Sequence, residues 1–274
     1  MERNDVKIAK LKAIVSHIVC ESPLIDAIAE IRENRLSTKF VIQIKNEIQS
    51  RPCNDNQIIL GIRNLSKLYN HCCVFCKTHQ IKSNTYMTNV DKKDIAEFCI
   101  ETKDLNEKDL DSILLFDEIS LGSEWSLVIN ALAFTLYHEF GHIKYDEENE
   151  MQIEKEKRAD FFAMKIVEGK CKKFPNAQID ENPAFLGALM DFIHIIRVSD
   201  PIEAEIAMTH PHPIERLYLF LEYFHINENS YLWKYAYDTI VKWAVDNNIA
   251  MTFEKESSIS IKDKMLDAYH RFKK

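Results

Sequence analysis

The segment FTLYHEFGHIKYDEE, residues 134 to 148, constrains this chain more than any other. It follows directly on the apolar run SLVINALAF, so two imidazoles, a carboxylate and a glycine sit at the end of what reads as a core helix. Burying such groups is costly unless they bind something. On an α-helix, positions i and i+4 share a face about one turn apart. His138 and His142 therefore point the same way and can share one metal ion. Glu139 is offset by one residue, outside that pair, and is placed to act as a general base on water held at the metal. Two nitrogen donors beside a base are what metal-assisted hydrolysis requires.

A catalytic zinc needs a third protein ligand. Downstream, EKEKRADFFA lies within a segment of helical spacing from Ile153 to Gly169. On that helix Ile153, Glu156, Asp160, Ala163 and Val167 share a face bordered by Ala159, whereas Glu154 turns toward solvent. Glu156 is thus the inward carboxylate, among alanines small enough for two helices to approach closely. Asp160, one turn on, can accept an imidazole N–H from behind the ligand set. Glu150 and Glu154 are the weaker alternatives. Glycine inside a helix costs about 1 kcal/mol relative to alanine, so Gly141 points to close packing at the same place.

A third segment, MTHPHPIERL (208 to 217), opens another helix. His210 and His212 are stiffened by Pro211 and Pro213, and either can hydrogen-bond a developing oxyanion. His212 reads equally well as part of a helix start with proline in its first turn. Tyr137 and Tyr145 are further oxyanion candidates. Arg216 can pair with Asp160 or with another acid of the site.

The rest of the sequence bounds the fold and excludes other chemistries. Only five of 274 residues are glycine, and no GxGxxG or Walker-type run is present. That argues against nucleotide chemistry and for a mainly helical chain. A net charge of −8 argues against broad binding to nucleic acid or anionic membranes. The longest apolar stretch, Leu127 to Tyr137, is too short to span a bilayer and reads as a core helix. Seven cysteines lack disulfide-like spacing, and the charged opening MERNDVKIAK leads into no signal-like segment. The expectation is free thiols in the cytoplasm.

The fold class expected is mainly α (α+β with at most a small sheet), with the active-site helix pair inside a helical domain. Residues 1–110 are expected to form a helical N-terminal region over the site and 111–274 the catalytic core, with one compact domain as the alternative. KIAKLKAIVSHIV and LIDAIAEIREN have helical periodicity; FVIQIKNEI fits a strand or a helix; SRPCNDNQ reads as a turn; residues 57 to 77 return to helical spacing; SILLFDEISLG (112 to 122) fits a short strand. Ser123 or Ser126 can cap a helix running to about Tyr145, and further helices are expected over Pro183–Val198, Pro213–His225, Tyr231–Val245 and Ile261–Phe272. HCCVFCKTH (71 to 79) sets Cys73 and Cys76 between His71 and His79, but structural zinc usually needs a second, distant pair. Plain core packing is the favoured reading there, as it is for His194 in an apolar helix.

The order HEFGH, then Glu156-Lys-Arg-Ala159-Asp160, then THPHPIERL resembles the gluzincin metallopeptidases, and among them the HtpX and CaaX-prenyl endopeptidase group. The resemblance covers about residues 126 to 217. It implies His138, His142 and Glu156 as ligands of Zn2+, Glu139 as general base, His210 as a substrate or transition-state contact and Arg216 as the arginine of the third motif. Those enzymes are integral membrane proteins, whereas this chain has no spanning segment. A chain of this length with a long helical N-terminal region is more similar to the Lit-type phage-exclusion peptidases, which cleave a host translation factor when a phage peptide is present. The function expected is therefore a soluble zinc-dependent endopeptidase acting on a protein or peptide, with no nucleic-acid or membrane partner. The resemblance implies a role in phage exclusion, a translation factor as substrate and a peptide activator. The alternative is a zinc-bearing regulatory or interaction protein that does not cut peptides. Glu139 counts against it, since a purely structural site needs no base.

Overall fold

The computed structural model describes residues 2–20, 24, 40–47, 49–54, 56–81, 98–102, 105, 122–145, 151–173, 178–200, 210–249 and 259–272. Eight helices and four strands run through them: α1 (Glu2–Val19), β1 (Phe40–Lys45), β2 (Arg51–Asn54), β3 (Gln57–Gly61), α2 (Leu65–His79), β4 (Phe98–Thr102), α3 (Ser123–Lys144), α4 (Gln152–Lys172), α5 (Pro183–Val198), α6 (Pro213–Tyr223), α7 (Tyr231–Asp246) and α8 (Ile261–Phe272). The fold is mainly helical with one small sheet, as expected. No helix among the described residues is long and apolar enough to cross a membrane.

The sheet has the order β2-β3-β1-β4, with β1 parallel to both β3 and β4, and β2 antiparallel to β3. It settles one open reading and corrects two expectations. FVIQIKNEI, left open between strand and helix, forms β1. Gln57–Gly61, assigned helical spacing, is β3. Its Ile58, Ile59 and Leu60 are all buried, and a strand covered on both faces shows an unbroken apolar run instead of alternation. SRPCNDNQ, read as a turn, contributes β2. Pro52 is tolerated there because β2 is an edge strand, and the ladder slips between Pro52 and Asn54. The 1–110 stretch thus carries all four strands beside α1 and α2. The expected helix over LIDAIAEIREN and the expected strand over SILLFDEISLG lie outside the described residues.

α3 is the central element. It packs against α1, α2, α4, α5 and strands β2 and β3. Its sequence explains why: Trp125, Leu127, Val128, Ile129, Ala131, Leu132, Ala133, Phe134 and Leu136 are all buried, apolar all round instead of on one stripe. Neither expected serine caps it. Gly122, in an extended conformation, is the N-cap and Ser123 is already helical. The later helices begin on side-chain caps. Asn182 accepts from Ala184 N–H at α5, His212 Nδ1 from Ile214 N–H at α6 and Ser230 from Leu232 N–H at α7. Their apolar faces join those of the sheet, α1 and α2 in one continuous core. Leu232, Trp233, Ala236, Ile240 and Trp243 of α7 pack into it.

Where α5 crosses α3 the backbones nearly touch. A methyl group on Gly187 would lie 2.3 Å from Asn130 Cβ and 2.9 Å from the Ala131 nitrogen. Gly187→Ala should therefore lower unfolding free energy by about 1–3 kcal/mol through overpacking, measured by urea denaturation.

Candidate metal centre

Two helices and one loop build the site. The last turns of α3 present His138 and His142, α4 presents Glu156, and Gly141 lets them meet. A Cβ on Gly141 would stand 2.7 Å from Ala159 Cα, so glycine is required for the helices to come this close. Nε2 of His138 and Nε2 of His142 lie 3.0 Å apart. Each is 3.3 Å from a different oxygen of Glu156. Among the described residues, these three side chains form the one His/Cys/Asp/Glu group whose donor atoms all fall within 4.8 Å of one another, and such a group can hold a metal ion.

The residues behind the trio orient it. His138 Nδ1 lies 2.9 Å from Asp160 Oδ1, a contact that favours the Nδ1–H tautomer and leaves Nε2 with its lone pair toward the trio. Arg216, on α6, clamps Asp160 with two bonds: Nε donates to Oδ2 at 2.8 Å and Nη2 to Oδ1 at 2.6 Å. The guanidinium also lies over the Phe192 ring at 5.4 Å. His210 reaches the group from the segment before α6, its Nε2 3.2 Å from Glu156 Oε1, with half its side chain exposed.

Charge decides what can occupy the centre. Glu139, Glu156 and Asp160 are buried acids near one buried guanidinium. Burial raises the Glu139 carboxyl, with the histidines pulling against it. Burial would raise Glu156 too, but hydrogen bonds from His138 and His142 hold it far below the carboxylate range. Burial of Asp160 is likewise outweighed, by the charge of Arg216 and the bond to His138, which hold it down to about 2. In return, and against its burial, His138 is pushed up to about 10 by Asp160 and Glu156. An imidazolium is how the protein alone offsets the excess negative charge. Apart from His138 Nε2 at 3.3 Å, Glu156 Oε2 has no hydrogen-bond partner among the described residues. Once His138 gives up its proton, two imidazole nitrogens, that carboxylate oxygen and the surplus negative charge fit a divalent ion.

The sequence candidates thus divide. His138, His142, Glu156, Asp160, Arg216 and His210 come together, and Glu139 is buried beside the histidines. Glu154 turns away to Lys157, 3.3 Å from it, and Glu150 lies outside the described residues. Tyr137 is buried near Lys170, and Tyr145 borders a separate cavity. His212 is the α6 cap, stacked on Phe272 at 4.4 Å and not part of the trio. His194 is a core histidine beside His71, their Nδ1 atoms 3.2 Å apart, and burial lowers it to about 3. Cys73 and Cys76 are free thiols.

Residues 121–236 match the family model Peptidase U49. The matched span begins just before α3, ends inside α7, and contains every residue brought together at the centre. The Peptidase U49 match supports a peptidase function; the sheet, α1 and α2 fall outside it. No curated protein and no solved structure matches the chain.

Two neighbours escaped the sequence reading. Gln152 Nε2 donates to Glu156 Oε1 at 3.2 Å, a partner that its i−4 spacing could have revealed. Asp191, buried on α5, has Thr135 Oγ1 3.3 Å from its Oδ1. Its signal was a lone acid in the apolar run FLGALMDFIHII. Asp160→Asn should weaken metal binding about 10–100-fold, measured by chelator competition. Burial pushes Asp191 up from its ordinary 3.8 to about 7, so the native state holds that proton more tightly and loses stability as pH rises between those values. Asp191→Asn should be more stable than wild type above about pH 7 and converge with it below about pH 4 in denaturation at a series of pH values.

Proposed function

We propose that this chain is a zinc-dependent endopeptidase of gluzincin type, with His138, His142 and Glu156 as the zinc ligands. The observation that carries the reading is the convergence of two imidazole nitrogens and one buried carboxylate oxygen with an acid, Glu139, next to them. The HExxH spacing and the Peptidase U49 match support it independently. Bound zinc would supply a Lewis acid that polarises a peptide carbonyl and acidifies water.

The protein's own residues do the rest. Glu139 takes a proton from the attacking water and delivers it to the leaving amine. Its raised carboxyl suits that exchange, since a base too weakly basic would not take the proton. His210, neutral because burial lowers its pKa, donates a hydrogen bond to the carbonyl oxygen as charge develops there. Asp160 and Arg216 hold His138 in register. Glu139 counts against a closed, non-catalytic site, which has no use for a base.

The substrate is a protein. The likeness to Lit-type peptidases favours a translation factor, cleaved in the cytoplasm of a phage-infected cell in the presence of a phage peptide. Glu139→Gln should keep about one zinc per chain while turnover falls by at least about 100-fold. Metal analysis and mass-spectrometric mapping of new protein N-termini in cells expressing wild type or variant measure both. Termini that appear with both proteins would refute the mechanism, and a chain without zinc would refute the centre.

A further inference from the structure

Beside the row of α4 that carries Glu156 and Asp160 runs a second one. Lys157, Phe161 and Lys165 recur every four residues and therefore line one side of the helix. Phe161 is 44% exposed. Lys165 Nζ lies 4.7 Å from its ring centroid, and Tyr223 meets the ring edge-on at 5.5 Å. A cavity of about 330 Å³ opens here, lined by Tyr145, Lys157, Arg158 and Phe161. Tyr145 is the C-cap of α3, three residues past His142, and Lys157 directly follows Glu156. The cavity therefore borders the ends of both helices that supply the centre.

Its chemistry is specific. A single exposed phenylalanine is ordinary on a protein surface. Two aromatic side chains walling a cavity with two cations are not, least of all on a chain of net charge −8. Lys157 is shared with Glu154 at 3.3 Å and Glu215 at 3.7 Å; Arg158 lines the cavity beside it, and Lys165 stands over the Phe161 ring at its edge. A guanidinium suits a carboxylate in two-point contact, and the rings suit an apolar side chain. The volume is at the low end of ligand pockets, about 300–1,000 Å³, and has room for one large side chain but not for a folded element.

We propose that this cavity is a recognition subsite for the substrate polypeptide, taking an aromatic or long aliphatic side chain that is flanked by acidic residues. The proposal rests on the peptidase reading and assigns its sequence preference. Full-length Glu139→Gln protein is titrated with two dansylated pentapeptides, Ala-Asp-Phe-Asp-Ala and Ala-Lys-Phe-Lys-Ala, and binding is followed by fluorescence anisotropy. The acidic peptide should bind at least about tenfold more tightly. Arg158→Glu and, separately, Lys165→Glu should each narrow that ratio severalfold, and Phe161→Ala should weaken both peptides, with zinc content and thermal midpoint unchanged. Equal binding of the two peptides, absence of binding, or a ratio that neither charge reversal moves would overturn the subsite. The mapping of new protein N-termini in cells is read in parallel. If termini specific to wild type appear while the peptides fail to discriminate, the subsite falls and the peptidase stands; if the peptides discriminate but no such termini appear, the cavity stands as a peptide-binding site and the peptidase reading falls.

Discussion

Buried acids gathered around the Arg216 guanidinium set the terms for this structure. Glu139, Glu156 and Asp160 are within the protein interior at the centre, with Asp191 close behind, and Arg216 is the permanent cation that acts on them among the described residues. The protein cannot bury that imbalance cheaply. Without an ion it must borrow a proton onto His138, which titrates near 10 for that reason. A dication would release the histidine to serve as a neutral donor. Folding and metal binding would then be coupled through this one exchange of charge.

The surrounding architecture keeps that charge cluster in place. α3 is apolar on every side and is wrapped by helices and sheet, so its final turns are anchored by a core far larger than the site. α6 contributes the other constraint. Its start is fixed by His212, which caps the helix while stacked on Phe272 and edge-on to Trp243 at 5.8 Å. One turn later Arg216 reaches Asp160, and two residues before the cap His210 reaches Glu156. A packing cluster of α6, α7 and α8 thus controls two polar contacts at the centre.

Much of the site was legible because its members are spaced by helical geometry. His138 with His142, and Glu156 with Asp160, each share a face by the i, i+4 rule, and the inward face of α4 was readable from its alanines. Their coming together in space depends on Gly141 against Ala159, which the glycine also signalled. The sheet was less legible. Ile58, Ile59 and Leu60 lack the alternation that marks a strand, because neighbours cover both faces, and Pro52 disguised an edge strand as a turn. Asp191 was missed because a buried acid in an apolar helix has no partner within its own segment; Thr135 comes from another helix.

The contact between Gly141 and Ala159 is main chain against main chain. Side chains can repack, but a backbone contact of this kind has no softer conformer to retreat into. The span between the donor atoms on α3 and the one on α4 is therefore a stiff calliper, set by how two helices cross. An ion content with a compact, few-membered shell would fit without deforming either helix, whereas one demanding a wide shell of many oxygens would have to spread them. Discrimination between metals would then reside in the crossing itself, and substitutions far from any donor atom could change which element the protein prefers.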